Sequence, residues 1–272
     1  MNVSIIGYGW LGERVAQLLL ERGHRVLAST TSEDKIKKIV DAGVIPQIFT
    51  LPVSNNENDF SQLFQCDVLL VMITPQFRSG KRDYPDNISQ IVEFSKKFGV
   101  NSIVLVSTTA VYEGLKGTVT ENATVDTSDE KVALLTKAEQ SILNYSAQSK
   151  IVRAAGLIDE QRHPGRFFSS GRVLKQPAEP VNLVHKTDIA KIICLLVEKE
   201  TESQVFNVAS QTHLTKEEFY TFASRAYNNQ SINVEKSDIT PSNRIISSER
   251  VRFELNYVFE HDDLIDWLTK RY

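Results

Sequence analysis

Six residues near the amino terminus, Gly7-Tyr8-Gly9-Trp10-Leu11-Gly12, restrict what this chain can fold into more than any other stretch. They stand between an apolar, β-branched run, Val3-Ser4-Ile5-Ile6, and a segment in which Leu11, Val15, Leu18 and Leu19 recur at helical spacing until Gly23. The pattern is strand, turn, helix. Each glycine has its own reason to be there: Gly7 permits the tight turn, Gly9 lets a pyrophosphate approach the backbone, and Gly12 allows the helix to pack close to the strand. The N-terminus of that helix stabilises phosphate charge through its unpaired N–H groups and its dipole. The turn predicts dinucleotide binding, with Gly7, Tyr8, Gly9, Trp10, Leu11 and Gly12 as candidate contacts.

The chain continues in the same alternation. Strand-like runs at 25–30, 45–51, 67–73, 102–106 and 150–154 are separated by helix-period segments at 33–41, 84–98 and 129–147. The run from Asp67 to Ile73 is almost continuously apolar, as expected of a central strand covered on both faces. With the first strand these make six, joined by crossovers, which predicts an α/β fold with a doubly wound parallel sheet of Rossmann type. Beyond about residue 155 the pattern loosens: three prolines fall between His163 and Pro180, followed by a strand at 181–185, a helix at 187–198, a strand at 204–208 and a helix at 215–227. The expected organisation is a nucleotide-binding domain over 1–160, completed by 183–208, and a small C-terminal substrate lobe formed mainly by 161–272.

Composition narrows the function. With 31 Lys and Arg against 34 Asp and Glu, the net charge of −3 gives no field to attract a polyanion, which argues against nucleic acid. The most apolar stretch, Ile189 to Val197, is far shorter than the roughly 20 residues that span a bilayer, and no signal-peptide pattern follows Met1. Cys66 and Cys194 lie far apart in apolar surroundings and read as reduced core thiols, so the expected location is cytoplasmic. The five histidines show no ligand spacing, and no metal is expected. A Gly-x-Ser-x-Gly elbow is absent, which removes the hydrolase alternative.

The choice of dinucleotide turns on the end of the second strand. A site for NAD usually has Asp or Glu there to bind the ribose 2′-hydroxyl, about 20 residues after the glycines. This chain has Ala28-Ser29-Thr30-Thr31-Ser32. Small hydroxyls suit a 2′-phosphate, with Arg14 or Lys35 as added charge, so NADP is the expected cofactor and NAD the possible one. Capping of a helix starting near Glu33 would explain the same residues with either cofactor.

At Val104-Leu105-Val106-Ser107-Thr108-Thr109-Ala110-Val111-Tyr112 the sequence resembles the extended short-chain dehydrogenase/reductase superfamily, of the sugar-nucleotide epimerase and dehydratase type. Thr136-Lys137-Ala138-Glu139 resembles the end of that family's Y-x-x-x-K-A-E helix, Val152 to Leu157 its LR-x-x-G strand, and Val181 to Ala190 a later histidine-containing segment. Val205-Phe206-Asn207-Val208 and Ser248 through Tyr257 resemble its C-terminal parts. Arg162 to Phe168, together with the glycine spacing, is similar to an atypical bacterial subgroup of YeeZ-like proteins. The resemblance implies Thr108, Lys137 and Tyr112 as candidate catalytic residues. It implies Ser29, Thr30, Thr31, Ile73, Thr74, Lys137, Gly156 and Leu157 as further cofactor contacts, and Thr109, His163, Arg166, Asn182 and His185 as contacts for a small-molecule substrate. By analogy a homodimer forms through the helices at 84–98 and 129–147.

The family's acid/base tyrosine stands four residues before its lysine, and here that position is Ala133. An alanine has no proton to give, which leaves four readings open. The protein binds NADP without turnover, as a sensor or regulator does; Tyr112, His163 or His185 supplies the proton; water supplies it; or the alignment on Lys137 is displaced. Each of the three side chains also has a structural reading, as packing, helix entry or loop polarity.

Overall fold

Val68, Leu69, Leu70 and Val71 are buried, and the strand they form lies at the centre of a seven-stranded parallel sheet. The computed structural model describes residues 1–53, 59–168, 171–236 and 239–270. Among these residues the chain divides into two units, one of Met1–Val111, Thr127–Arg153 and Ala190–Phe206, the other of Tyr112–Asp126, Ala154–Ile189 and Asn207–Tyr272.

The first unit carries β1 (Asn2–Ile6), α1 (Trp10–Glu21), β2 (Arg25–Thr30), α2 (Ile36–Asp41), β3 (Ile45–Ile48), β4 (Val68–Val71), α3 (Tyr84–Phe98), β5 (Ser102–Thr108) and α4 (Glu130–Leu143), with most of β7 (Lys150–Ala154). After an excursion it takes up the greater part of α5 (Lys186–Glu198) and the start of β11 (Val205–Val208). The sheet order is β11-β7-β5-β4-β1-β2-β3. Since β1 pairs in parallel with β2 on one side and β4 on the other, the chain reverses its direction of winding there. Open α/β sheets bind ligands in the crevice at such a point, beyond the carboxyl ends of the strands.

The sheet is the doubly wound one the sequence predicts, with a seventh strand added at its edge by 205–208. Several boundaries differ for local reasons. β3 stops at Ile48 rather than 51; Phe49 still donates to the Thr30 carbonyl at 3.0 Å, and the chain leaves the sheet ahead of Pro52, which has no N–H for the ladder. The helix expected over 33–41 begins as a single 3₁₀ turn, Glu33–Lys35. α4 ends at Leu143, not 147, and the hydroxyl of Tyr145 just beyond it donates to the carbonyls of Ser95 and Val100. Its start is fixed by Asp129, whose carboxylate accepts from the N–H groups of Lys131 and Val132 at 2.8 and 3.1 Å.

Two features stiffen this unit. Phe49, Phe60, Phe64 and Phe94 form an aromatic cluster with centroid separations of 5.1–6.0 Å, mostly edge to face. Under the end of β5, the Glu139 carboxylate of α4 receives the Arg153 guanidinium of β7, with Nη2 to Oε2 at 2.6 Å, and the Ser107 hydroxyl at 2.5 Å. Both ions are nearly removed from water, so each depends on the other for compensation. Cys66 and Cys194 are unpaired with each other, and burial pushes their thiols up to about 11 and about 12.

The second unit is built from short parallel pairs: β6 (Thr118–Val119) with β13 (Ile245–Ile246), β8 (Gly156–Ile158) with β10 (Leu183–His185), and β9 (Val173–Leu174) with β12 (Asn233–Val234). Its helices are α6 (Lys216–Asn228), α7 (Glu249–Leu255) and α8 (Leu264–Thr269). A capping box joins Thr215 and Glu218 at the start of α6. Ile158, Leu183, Phe219, Ala223, Leu264 and Trp267 share its core. The buried Asp188 carboxylate holds the segment before α8 by accepting from the Tyr257 hydroxyl and from the N–H groups of Glu260 and His261.

Replacing Glu139 by Ala strands the Arg153 charge and should cost about 3–5 kcal/mol in urea unfolding; a cost below about 1 kcal/mol would show that the ion is resolvated. Burial also pushes the His213 imidazole down from 6.5. The unfolded chain then binds that proton more readily, so stability is lost as pH falls from 6.5 towards the lowered folded value. His213→Gln should flatten this part of a pH–stability curve.

Candidate functional site

A cleft of about 560 Å³ opens at the carboxyl ends of β1, β2, β3 and β4, entirely within the first unit. The turn after β1 contributes Gly7, Tyr8 and Gly9; the end of β2 contributes Ser29 and Thr30, with Thr31 and Lys35 beyond; the segment after β3 contributes Phe49 and Leu51. The remaining wall is Met72 to Gln76 after β4, then Lys81, Asp83, Tyr84 and Asn87 at the start of α3.

The three glycines are required for different reasons, and the difference is measurable. Gly7 has φ +102°, and a Cβ there would lie 2.7 Å from the Met72 carbonyl carbon and oxygen. A Cβ on Gly12 would lie 2.7 Å from the Gly7 oxygen. The fold alone demands these two. Gly9 has an extended backbone, and a Cβ built on it meets nothing within 4 Å. No protein atom keeps that position small. Gly9 is also the N-cap of α1 and supplies no side-chain cap, so the first turn of that helix offers backbone N–H groups at the cleft. These features fit the diphosphate of a dinucleotide.

At the end of β2 the Ser29 hydroxyl accepts from the Gly7 N–H at 3.1 Å, fastening the glycine turn to the neighbouring strand. The Thr30 hydroxyl is turned onto its own chain, bonding the carbonyl and N–H of Ser32. Thr31 and Lys35 are exposed at the cleft wall. Arg14, the other candidate cation, bonds Gln17 and is not part of the lining. Burial is the main cause that raises the Tyr8 phenol, with Glu13 adding to it.

The cleft thus brings together Gly7, Tyr8, Gly9, Ser29, Thr30, Thr31, Ile73 and Thr74 from the sequence-predicted set. Trp10, Leu11 and Gly12 form the first turn of α1 and are not among its lining residues. Thr108, Thr109 and Lys137 belong to the same unit but do not line it. The Thr108 hydroxyl accepts from the Ala110 N–H at 3.2 Å, and Lys137, 63% exposed, pairs with Asp86 at 3.3 Å. Ala133 is half-buried.

The other candidates lie in the second unit. Tyr112 is fully buried, and its hydroxyl donates to Asn207 at 2.8 Å. Gly156 and Leu157 pair with Leu183 and Val184. The Asn182 amide joins Arg244 and Ile246, accepting from one N–H and donating to the other residue's carbonyl. His163 and His185 are buried against Trp267, at centroid distances of 5.5 and 5.0 Å, and Nδ1 of each accepts a backbone N–H, from Gly165 and Thr187. Arg166 is exposed. Sequence reasoning missed Phe49, Leu51, Lys81, Asp83, Tyr84 and Asn87; their only signal was position, directly after a strand or at the start of the helix that follows one.

No group of His, Cys, Asp and Glu among the described residues could hold a metal ion, and no described helix is long and apolar enough to cross a membrane. Residues 7–200 match the model of the NAD(P)H-binding family. Protein YeeZ of Escherichia coli K12 is 28% identical, over 96% of this chain and 97% of its own length. UDP-N-acetylglucosamine 4-epimerase from Bacillus cereus has the same fold, with a TM-score of 0.75 at 18% identity over 98% of each chain. So does UDP-glucuronic acid 4-epimerase from Bacillus cereus, solved in complex with NAD, with a TM-score of 0.74 at 12% identity over 99% of each chain.

The glycine geometry generates a paired prediction for the ligand-free protein. Gly12→Ala should lose about 1–3 kcal/mol through overpacking against the Gly7 carbonyl, whereas Gly9→Ala should change thermal stability little; equal losses in differential scanning fluorimetry would contradict the assignment of separate roles.

Proposed function

The chain belongs to the NAD(P)H-binding family, and on that premise we propose that it takes NADP into the cleft at the ends of β1 to β4 and acts on a small-molecule substrate as an oxidoreductase or epimerase-like enzyme. The observation that carries the reading is Gly9: the fold leaves room for a side chain there, and the chain has none. The preference for NADP rests on the end of β2, where Ser29, Thr30 and Thr31 stand in place of an acidic residue, on the exposure of Thr31, and on Lys35 at the same wall. A carboxylate in place of Thr31 would repel a 2′-phosphate; a hydroxyl and an ammonium favour it. For the substrate, His163, Arg166, Asn182 and His185, all in the second unit, remain the proposed contacts. Of these, the Arg166 guanidinium best suits a carboxylate or phosphate, because it can engage both oxygens at once. Association of two copies through α3 and α4 belongs to the same reading.

A regulator that binds NADP without turnover is the second reading. Ala133 stands where the family has its acid, and the Lys137 ammonium is held at Asp86 on the surface. A panel of carbonyl and nucleotide-sugar substrates separates the two, since only an enzyme consumes NADPH or interconverts the sugar.

Fluorescence titration with NADPH and NADH tests the cofactor. Tight NADPH binding should be lost in Gly9→Val, and Lys35→Ala should weaken NADPH about tenfold while leaving NADH unchanged. If the unmodified protein binds neither dinucleotide, the proposal fails.

A further inference from the structure

Tyr84 is the first residue of α3 and one of the residues lining the cleft, although it is only 2% exposed. Among the described residues lining this cleft, Tyr84 alone has a buried side-chain polar atom without a hydrogen-bond partner: its hydroxyl. A buried hydroxyl without a partner is costly, and most buried polar groups in folded proteins have one. The ring is not loosely held. Pro85 follows it at the helix start, and Phe77 meets it edge to face at 6.4 Å.

We propose that the Tyr84 hydroxyl is a binding group for the adenosine half of the dinucleotide, donating a hydrogen bond to an acceptor atom that the ligand brings into the cleft. The inference rests on the dinucleotide reading above and adds a contact to it. The cleft's walls come from the ends of β1 to β4 and the start of α3, whereas Thr108 at the end of β5 lies outside the lining. The end of β2 is where a dinucleotide's adenosine ribose is read, so the half enclosed together with Tyr84 is the adenosine half. The phenol remains a donor throughout the physiological range: burial, and secondarily the Glu139 carboxylate, push its titration far above the ordinary value.

The test is Tyr84→Phe in the full chain, with NADPH and adenosine 2′,5′-bisphosphate as probes. Removing an unbonded hydroxyl should leave the melting temperature of the ligand-free protein unchanged or raise it. Loss of one neutral hydrogen bond should weaken both probes by about three- to tenfold, and by the same factor. A clear fall in the ligand-free melting temperature would show that the hydroxyl is used by the fold and would overturn the proposal. Unchanged binding of both probes by the variant would overturn it too. Weakening of NADPH without weakening of the bisphosphate would overturn the assignment to the adenosine half. If the unmodified protein binds neither probe, the dinucleotide reading itself falls, an outcome distinct from the others because the variant is not needed to see it.

Discussion

The contact on which the nucleotide-binding unit depends is the one between Gly12 and the Gly7 carbonyl, where an added methyl carbon would sit 2.7 Å from oxygen. That closeness lets α1 start directly over the end of β1 and points its first turn at the reversal in strand order. Ser29 completes the arrangement from the next strand by accepting the Gly7 N–H. The turn is thus held by helix packing on one side and by a side chain of β2 on the other. A cleft can open beside it without loosening the sheet, since Phe49 in its wall packs against Phe60 and Phe64.

The Glu139–Arg153–Ser107 network plays the corresponding part on the far side of β4. It joins α4, β7 and β5 beneath the strand end that carries Thr108, through one carboxylate. An ionic tie of this kind contributes direction more than net stability, because the desolvation of both charges offsets much of their attraction. Its geometry constrains the rotation of α4, the helix from which Lys137 emerges to meet Asp86 on α3.

Much of the fold was legible because its signals are local. A β-branched run buried on both faces, a helical period and a glycine after a strand each report on a few neighbouring residues, and they sufficed for the parallel sheet. The seventh strand was less legible: Val205 to Val208 reads as a strand, but its place beside β7 depends on residues some fifty positions earlier. The cleft divides in the same way. Gly7, Gly9, Ser29 and Thr31 follow from motif spacing, whereas Phe49, Tyr84 and Asn87 are gathered by topology. Nothing local to Tyr84 announces that it lines this cleft. Nor does the spacing of Lys137 disclose the carboxylate on another helix that receives it.

The threading of the chain has a practical consequence. It passes from one unit to the other at residues 111, 126, 153, 189 and 206, so neither unit is a continuous piece of sequence. A fragment from Met1 to Glu160 would contain every glycine of the nucleotide turn and still be an incomplete body. It would lack β11, leaving the N–H and C=O groups along one side of β7 as an open edge ready to pair with another molecule. It would also lack α5, whose Ile189, Ile192, Ile193 and Leu196 are buried and whose Cys194 lies against the Val15 carbonyl of α1. The polypeptide must therefore extend to Val208 before its first strand has a finished sheet to belong to, and until then the edge of β7 and the face of α1 that α5 covers stay open to other pairings.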